Sequence, residues 1–182
     1  MTCDNLISML SRYTTNDTVE RDMLSQTLDF IQAHPTTCAD RTLLSGHLTA
    51  SAWVLDQSHL YVLLTKHRKL CRWLQLGGHA DGDCDLKRVA LREAQEESGL
   101  VSITPGSMLP FDIDVHTIPA RNEVPTHLHY DVRFWFTADI NEPLIVSQES
   151  TDLKWISLHD LESESLSDPS LRRMLHKSTD LK

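Results

Sequence analysis

Residues 78–100 read GHADGDCDLKRVALREAQEESGL, and the order of residue types in this stretch decides what kind of fold to expect. A glycine-bearing loop, Leu76 to Asp83, runs into a segment from about Asp85 to Ser98 that predicts a helix, with Gly99 placed to cap its C-terminus. On that helix Glu93, Glu96 and Glu97 stand at i, i+3 and i+4, so three carboxylates project from one face. Like charges at that spacing repel one another. They are tolerated on a solvated face, or made useful by a hard cation, because Mg²⁺ takes oxygen ligands and sits between carboxylates and substrate phosphates. Taken alone, REAQEE fits either reading.

The flanks are strands. His47 to Asp56 and His59 to Lys66 are rich in Val, Leu, Trp, Tyr and Thr and are separated by Gln57-Ser58 at hairpin spacing. Beyond the helix, Leu100 to Thr104, Phe111 to His116 and His127 to Ala138 are strand-like. In the last of these Leu128, Tyr130, Val132, Phe134 and Phe136 alternate with His127, His129, Asp131, Arg133 and Trp135, giving one core face and one polar face able to line a cleft. A strand at Leu153 to Ile156 precedes one or two short helices, the last with Asp168 as cap and Pro169 at its first position. At the N-terminus, Leu6, Met9, Leu10 and Tyr13 share a helical face. Asp17 and Glu20 form a capping-box pattern ahead of Leu24, Leu28 and Ile31, and Pro35 ends the segment. The expectation is an α/β sandwich at 46–182, preceded by a helical hairpin at 1–45 that packs against it.

The 182 residues suit one compact domain with an extra element or two. With 17 Lys+Arg against 26 Asp+Glu the net charge is -9, a field that disfavours nucleic acid as a partner. An anionic substrate would need a local basic patch or a divalent metal. The four cysteines, Cys3, Cys38, Cys71 and Cys84, form no CxxC pair, so reduced thiols in a cytoplasmic protein are expected and a zinc site has no support from spacing. No apolar run approaches the roughly 18 residues of a membrane helix, so no membrane partner is expected.

The stretch from Gly78 resembles the signature of the Nudix hydrolase family: Gly, five residues, Glu, seven residues, then Arg-Glu-apolar-any-Glu-Glu-any-Gly-apolar. Eight of its nine specified positions match, from Gly78 through Arg92, Glu93, Ala94, Glu96, Glu97 and Gly99 to Leu100; Cys84 stands where the first Glu belongs. Chance agreement over every start, with one mismatch allowed, is on the order of 10⁻⁵ from average residue usage. The resemblance extends in element order from His47 to roughly Leu161. It implies a Nudix-like α/β/α sandwich around a mixed sheet. It also implies hydrolysis of a nucleoside diphosphate linked to another group, with Mg²⁺ or Mn²⁺. Carried over by position, Glu93, Glu96 and Glu97 are metal ligands, the Gly77 carbonyl is a backbone ligand, and Arg92 holds the carboxylates by forked hydrogen bonds.

The catalytic set expected from this reading is Arg92, Glu96 and Glu97, with Glu149, in the loop before the strand containing Trp155, as the candidate base. Glu149 is equally an ordinary loop carboxylate. Arg68 and Lys69, within the basic run Lys66-His67-Arg68-Lys69, together with His79 and Arg133, are candidate substrate contacts, and Trp53, Trp73 and Trp135 could stack a base. Asp83 and Asp85 flank Cys84 and can replace part of the missing charge. Self-association into a homodimer stays open. So do two other functions: a nucleotide-sensing module weakened by Cys84, and an isomerase acting on an isoprenoid diphosphate.

Overall fold

A computed structural model describes residues 3–121, 123–148, 150–163 and 168–181. Its trunk is strand β1 (Gly46–Asp56), buried along its whole length. Leu48, Ala50, Ala52 and Val54 point to one face of the sheet, while His47, Thr49, Ser51 and Trp53 point to the other. Strand β7 (His127–Ala138) lies parallel to β1 in register from Gly46↔Leu128 to Asp56↔Ala138. Antiparallel to β1 run β2 (Tyr61–His67) and the short β4 (Leu76–His79). Outward from these, β2 carries β3 (Arg72–Leu74) and β8 (Ser150–Ser157), and β7 carries β5 (Thr104–Pro105) and β6 (Asp112–Ile118). The sheet is therefore mixed.

Helix α3 (Leu86–Ser98) lays its apolar stripe, Leu86, Val89, Ala90 and Ala94, on the first face, against Leu48, Ala50, Val132 and Phe134. Helices α1 (Asp4–Leu10) and α2 (Thr18–Ala33) add Leu6, Leu10, Phe30 and Ile31 to the same cluster, so the N-terminal helices share the core of the main fold. On the opposite face α4 (Leu158–Ser163) and α5 (Pro169–Ser178) close over Trp53, Leu55, Val62 and Leu64 through Leu161, Leu171, Met174 and Leu175. Each such side chain, fully buried, contributes about 1.5–3 kcal/mol. The three layers are the α/β/α sandwich expected.

Four features depart from the expectation. The strand expected at Leu100 to Thr104 contracts to Thr104–Pro105, because the Glu142 carboxylate takes the amides of Val101 and Ser102 at 2.6 and 3.1 Å and so replaces a ladder partner. A short strand, β3, appears after the turn at Cys71, whose φ of 53° reverses the chain. The capping box is half formed: Asp17 accepts the Glu20 amide at 3.0 Å, but the Glu20 side chain is fully buried and accepts instead from the Tyr13 hydroxyl at 2.6 Å and the Ile113 amide at 2.9 Å.

The cysteines are the fourth correction. Cys3 and Cys84 form a disulfide across 81 residues, and the buried Cys38 sulfur lies 3.5 Å from that of Cys3. The pairing arises because α1 folds back over the loop ahead of α3, a long-range contact that no local spacing announces. Disulfides persist in oxidising surroundings, so the cytoplasmic expectation loses the support it drew from reduced thiols.

Candidate functional site

The site is built where α3 passes over β4. Asp85 caps the helix by accepting the Arg88 amide at 3.2 Å, and Gly99, at φ 74°, ends it with an amide donated to the Gln95 carbonyl at 2.8 Å. Sheet pairing opposes Gly77 to Ser51 and Gly78 to Ala50, which fixes the glycines beneath the helix. The Gly77 amide donates to Glu97 Oε2 at 3.1 Å. Its φ of 156° and the 2.6 Å that would separate a Cβ from the Ala50 carbonyl leave no room for a side chain. At Gly78 a Cβ would collide with the Glu93 carboxylate. Glycine is required at Gly77 so that β4 can lie against β1, and at Gly78 so that the Glu93 carboxylate can lie on the backbone.

Arg92 donates to Glu93 Oε1 at 2.9 Å and its Nε lies 3.8 Å from Glu96 Oε1. The hydrogen bond to Glu93, then the charges of Glu93 and Glu96, hold its guanidinium above its ordinary basicity. Glu96 is 65% exposed against 20% for Glu93, so the cluster opens to solvent on one side. Arg92 thus bridges two of the three carboxylates. A donor set made only of carboxylate and backbone oxygen fits a hard divalent ion.

The opposite face of the sheet holds a second acidic cluster in which the charges are matched. Asp112, Asp114 and Asp131 surround the guanidinium of Arg133 at 3.2, 3.2 and 2.7 Å. Arg173 of α5 reaches Asp112 at 2.7 Å and Asp114 at 2.9 Å, and Lys177 bridges Asp112 at 2.7 Å and Glu20 at 2.5 Å. Thr49 and Ser51 hydroxyls donate to Asp131. Burial would raise the Asp114 carboxyl, but His116 and the two arginines hold it well below the usual range. Arg133 is 3% exposed and fully engaged. It organises the sheet face, with each of its three nitrogens turned to an aspartate.

The other expected contacts scatter. Arg68 donates to the carbonyls of Gln148 and Ser150 at 3.0 and 2.8 Å, which ties the β2–β3 turn to the start of β8, while Lys69 is exposed on the same turn. Glu149 lies outside the described residues. Trp53 is fully buried, its indole donating to Ser178 Oγ at 2.8 Å, so it cannot stack a base. Trp73 carries Lys154 over its ring at 4.7 Å. His79, next to Gly78, packs against His47 and His129 with ring centroids 5.1 and 5.2 Å apart. Sequence reading missed that company: the alternation in β7 places His127 and His129 on one face, but only strand register adds His47.

The family model described as NUDIX domain matches residues 46–177. A hydrolase of the NUDIX family from Clostridium perfringens superposes with TM-score 0.56 at 24% identity, covering 75% of this chain and 98% of its own. A C. elegans Ap4A hydrolase gives 0.52 at 17% identity, over 73% and 95%. The NUDIX domain of Shewanella oneidensis NrtR, complexed with ADP ribose, gives 0.51 at 20% identity, over 78% and 91%. No curated protein matches the chain. Among the described residues no helix is long and apolar enough to cross a membrane.

Proposed function

The chain belongs to the Nudix hydrolase family, and from that premise we propose that it cleaves the pyrophosphate bond of a nucleoside diphosphate linked to another group, with Mg²⁺ or Mn²⁺ held by Glu93, Glu96, Glu97 and the Gly77 carbonyl. The observation that carries this reading is the seating of Glu93 and Glu97 on the Gly77–Gly78 backbone, with Arg92 bonded to Glu93. That the C. elegans neighbour is an Ap4A hydrolase, and that the Shewanella domain takes ADP ribose, supports a nucleoside diphosphate core in the substrate.

A divalent ion held by Glu93, Glu96, Glu97 and the Gly77 carbonyl would supply charge neutralisation for the pyrophosphate and acidify the attacking water. The chain's own residues do the rest. Gly77 orients Glu97 through its amide, and Arg92 fixes Glu93 and spans towards Glu96, so the oxygens are preset and little reorganisation accompanies binding. Glu149, by its sequence position ahead of β8, is the proposed base that takes the proton of the attacking water. Lys69, exposed on the β2–β3 turn, is the proposed phosphate contact from the basic run. Arg68 anchors that turn.

The test is a hydrolysis screen of the full-length chain with Mg²⁺ and with Mn²⁺. The substrates are nucleoside triphosphates, dinucleoside polyphosphates, nucleotide sugars, ADP-ribose, NADH and coenzyme A, with an isoprenoid diphosphate run alongside. Metal-dependent release of a nucleoside monophosphate from one class is the expected result. Tight binding of a nucleotide with no hydrolysis would move the chain to the sensing reading. Conversion of an isoprenoid diphosphate without hydrolysis would move it to the isomerase reading.

A further inference from the structure

On the polar face of the sheet, past the aspartate–arginine cluster, strand register gathers five imidazoles. His47 in β1 lies opposite His129 in β7, His116 in β6 lies opposite His129 from the other side, and His127 is on the same face two residues earlier. His79 in β4 joins them beside Thr49. The ring centroids of His47 lie 4.7 Å from His129 and 5.0 Å from His127. His47 is 3% exposed, and neither of its ring nitrogens makes a hydrogen bond of acceptable geometry, although the Leu43 backbone lies near enough to favour the charged ring slightly. An imidazole buried with both nitrogens unsatisfied is costly. Something should pair with it.

The neighbours are set up as lone-pair donors. His127 Nδ1 donates to the Pro125 carbonyl at 2.9 Å, which fixes the tautomer and leaves Nε2 free to ligate. Burial first, then the surrounding imidazoles, pushes His47 down to about 4 and His129 down to about 2, so both rings are neutral at pH 7. One ligand atom from each of His47, His127 and His129 lies within 4.8 Å of the other two. Two nitrogens on a tetrahedral Zn²⁺ sit roughly 3.4 Å apart, given bonds of about 2.1 Å, so ring rotation need close only about 1.5 Å.

We propose that His47, His127 and His129 form a binding site for a first-row transition-metal ion of the Zn²⁺ class. All-imidazole donors select such ions over Mg²⁺, which prefers oxygen. Three protein ligands leave a coordination position for water or an anionic oxygen. His116, whose Nδ1 is held by Asp114 at 3.0 Å, and His79 flank the site. The site is chemically separate from the glutamates of α3 and does not rest on the hydrolase reading.

The test uses the untagged full chain, stripped with chelator and titrated with Co²⁺ by absorption, then with Zn²⁺ against a chromophoric chelator. The expected result is one tight equivalent, distinct from any weaker one at the α3 glutamates, with visible ligand-field bands and no thiolate charge-transfer band. His127→Gln, at a partly exposed position that can be changed without emptying the core, should weaken Zn²⁺ at least about 100-fold, more than the loss of a supporting hydrogen bond costs. A Glu96→Gln, Glu97→Gln variant should bind Zn²⁺ as wild type does, whether or not it retains turnover, and Zn²⁺ should raise the thermal midpoint of wild type but not of folded His127→Gln. The inference is overturned if wild type binds no stoichiometric Zn²⁺, if His127→Gln binds equally well, if thiolate bands appear, or if affinity falls with the glutamate variant.

Discussion

Two groups of three carboxylates lie on opposite sides of the same sheet, and the protein treats them differently. Asp112, Asp114 and Asp131 are buried and meet Arg133, Arg173 and Lys177 within the chain. Glu93 and Glu96 meet Arg92, Glu97 accepts the Gly77 amide, and Glu96 opens towards water. The first group is finished as structure. The second lies at the surface, where Glu96 faces water and an external cation can reach the carboxylates without entering a buried cluster. The difference teaches that acidity alone does not identify a site; what matters is whether the compensating charge is already inside.

Removing internal compensation should be the most damaging change. Arg133→Ala leaves three buried aspartates facing one another and should cost about 3–5 kcal/mol in chemical denaturation. A loss below about 1 kcal/mol would mean that Arg173 and Lys177 suffice and that the matched picture is wrong. Next comes the tether of the loop that precedes the glutamate helix. Cys84→Ala should lower stability by about 2–4 kcal/mol under oxidising conditions, given the 81-residue separation, and dithiothreitol should bring wild type down to the variant. Identical curves for both proteins in either condition would show that the disulfide does not hold the segment.

Smaller effects refine each side. Asp168 caps α5, the helix that delivers Arg173 and Lys177, by accepting the Ser170 amide at 2.9 Å, and Asp168→Ala should cost about 1 kcal/mol. Burial alone would raise its carboxyl, but the Ser170 hydroxyl and the amides of Ser170 and Leu171 hold it below the ordinary value. The cap's contribution is therefore full above about pH 4 and lost as pH falls through the lowered value, so wild type and variant should converge in acid. On the other side, Glu96→Gln relieves repulsion from its glutamate neighbours but gives up the pairing with Arg92 at 3.8 Å, so the stability of the metal-free protein should change by less than about 0.5 kcal/mol. A larger destabilisation would mean that the Arg92 pairing outweighs the repulsion.

The two groups also differ in how legible they are. Glu93, Glu96 and Glu97 share one helix, so periodicity alone brings them together, while the flanking Gly78 makes room for Glu93 and Gly99 marks where the chain must turn. Asp112, Asp114 and Asp131 come from β6 and β7, and their cations from β7 and α5, so only register and tertiary packing unite them. Arg133 illustrates the cost of reading a strand alone. Alternation in β7 puts it correctly on the polar face, but the polar face there is sealed beneath α5, and a residue expected to meet substrate meets three aspartates instead. Cys3 and Cys84 are illegible for the same reason, as is the convergence of His47 on His127 and His129. The sandwich itself was readable from alternation in β7 and the loop–helix unit; β3 and the contraction of β5 were set by a single positive φ and by one glutamate side chain.

The central claim is that the glutamates of α3 hold the ion that drives hydrolysis. The most direct test compares Glu97→Gln with wild type on a confirmed substrate at saturating Mg²⁺, alongside thermal unfolding of both. The amide keeps the shape and removes the charge, so turnover should fall on the order of 10²-fold or more while the unfolding midpoint changes little. A folded Glu97→Gln protein with undiminished kcat would contradict the assignment.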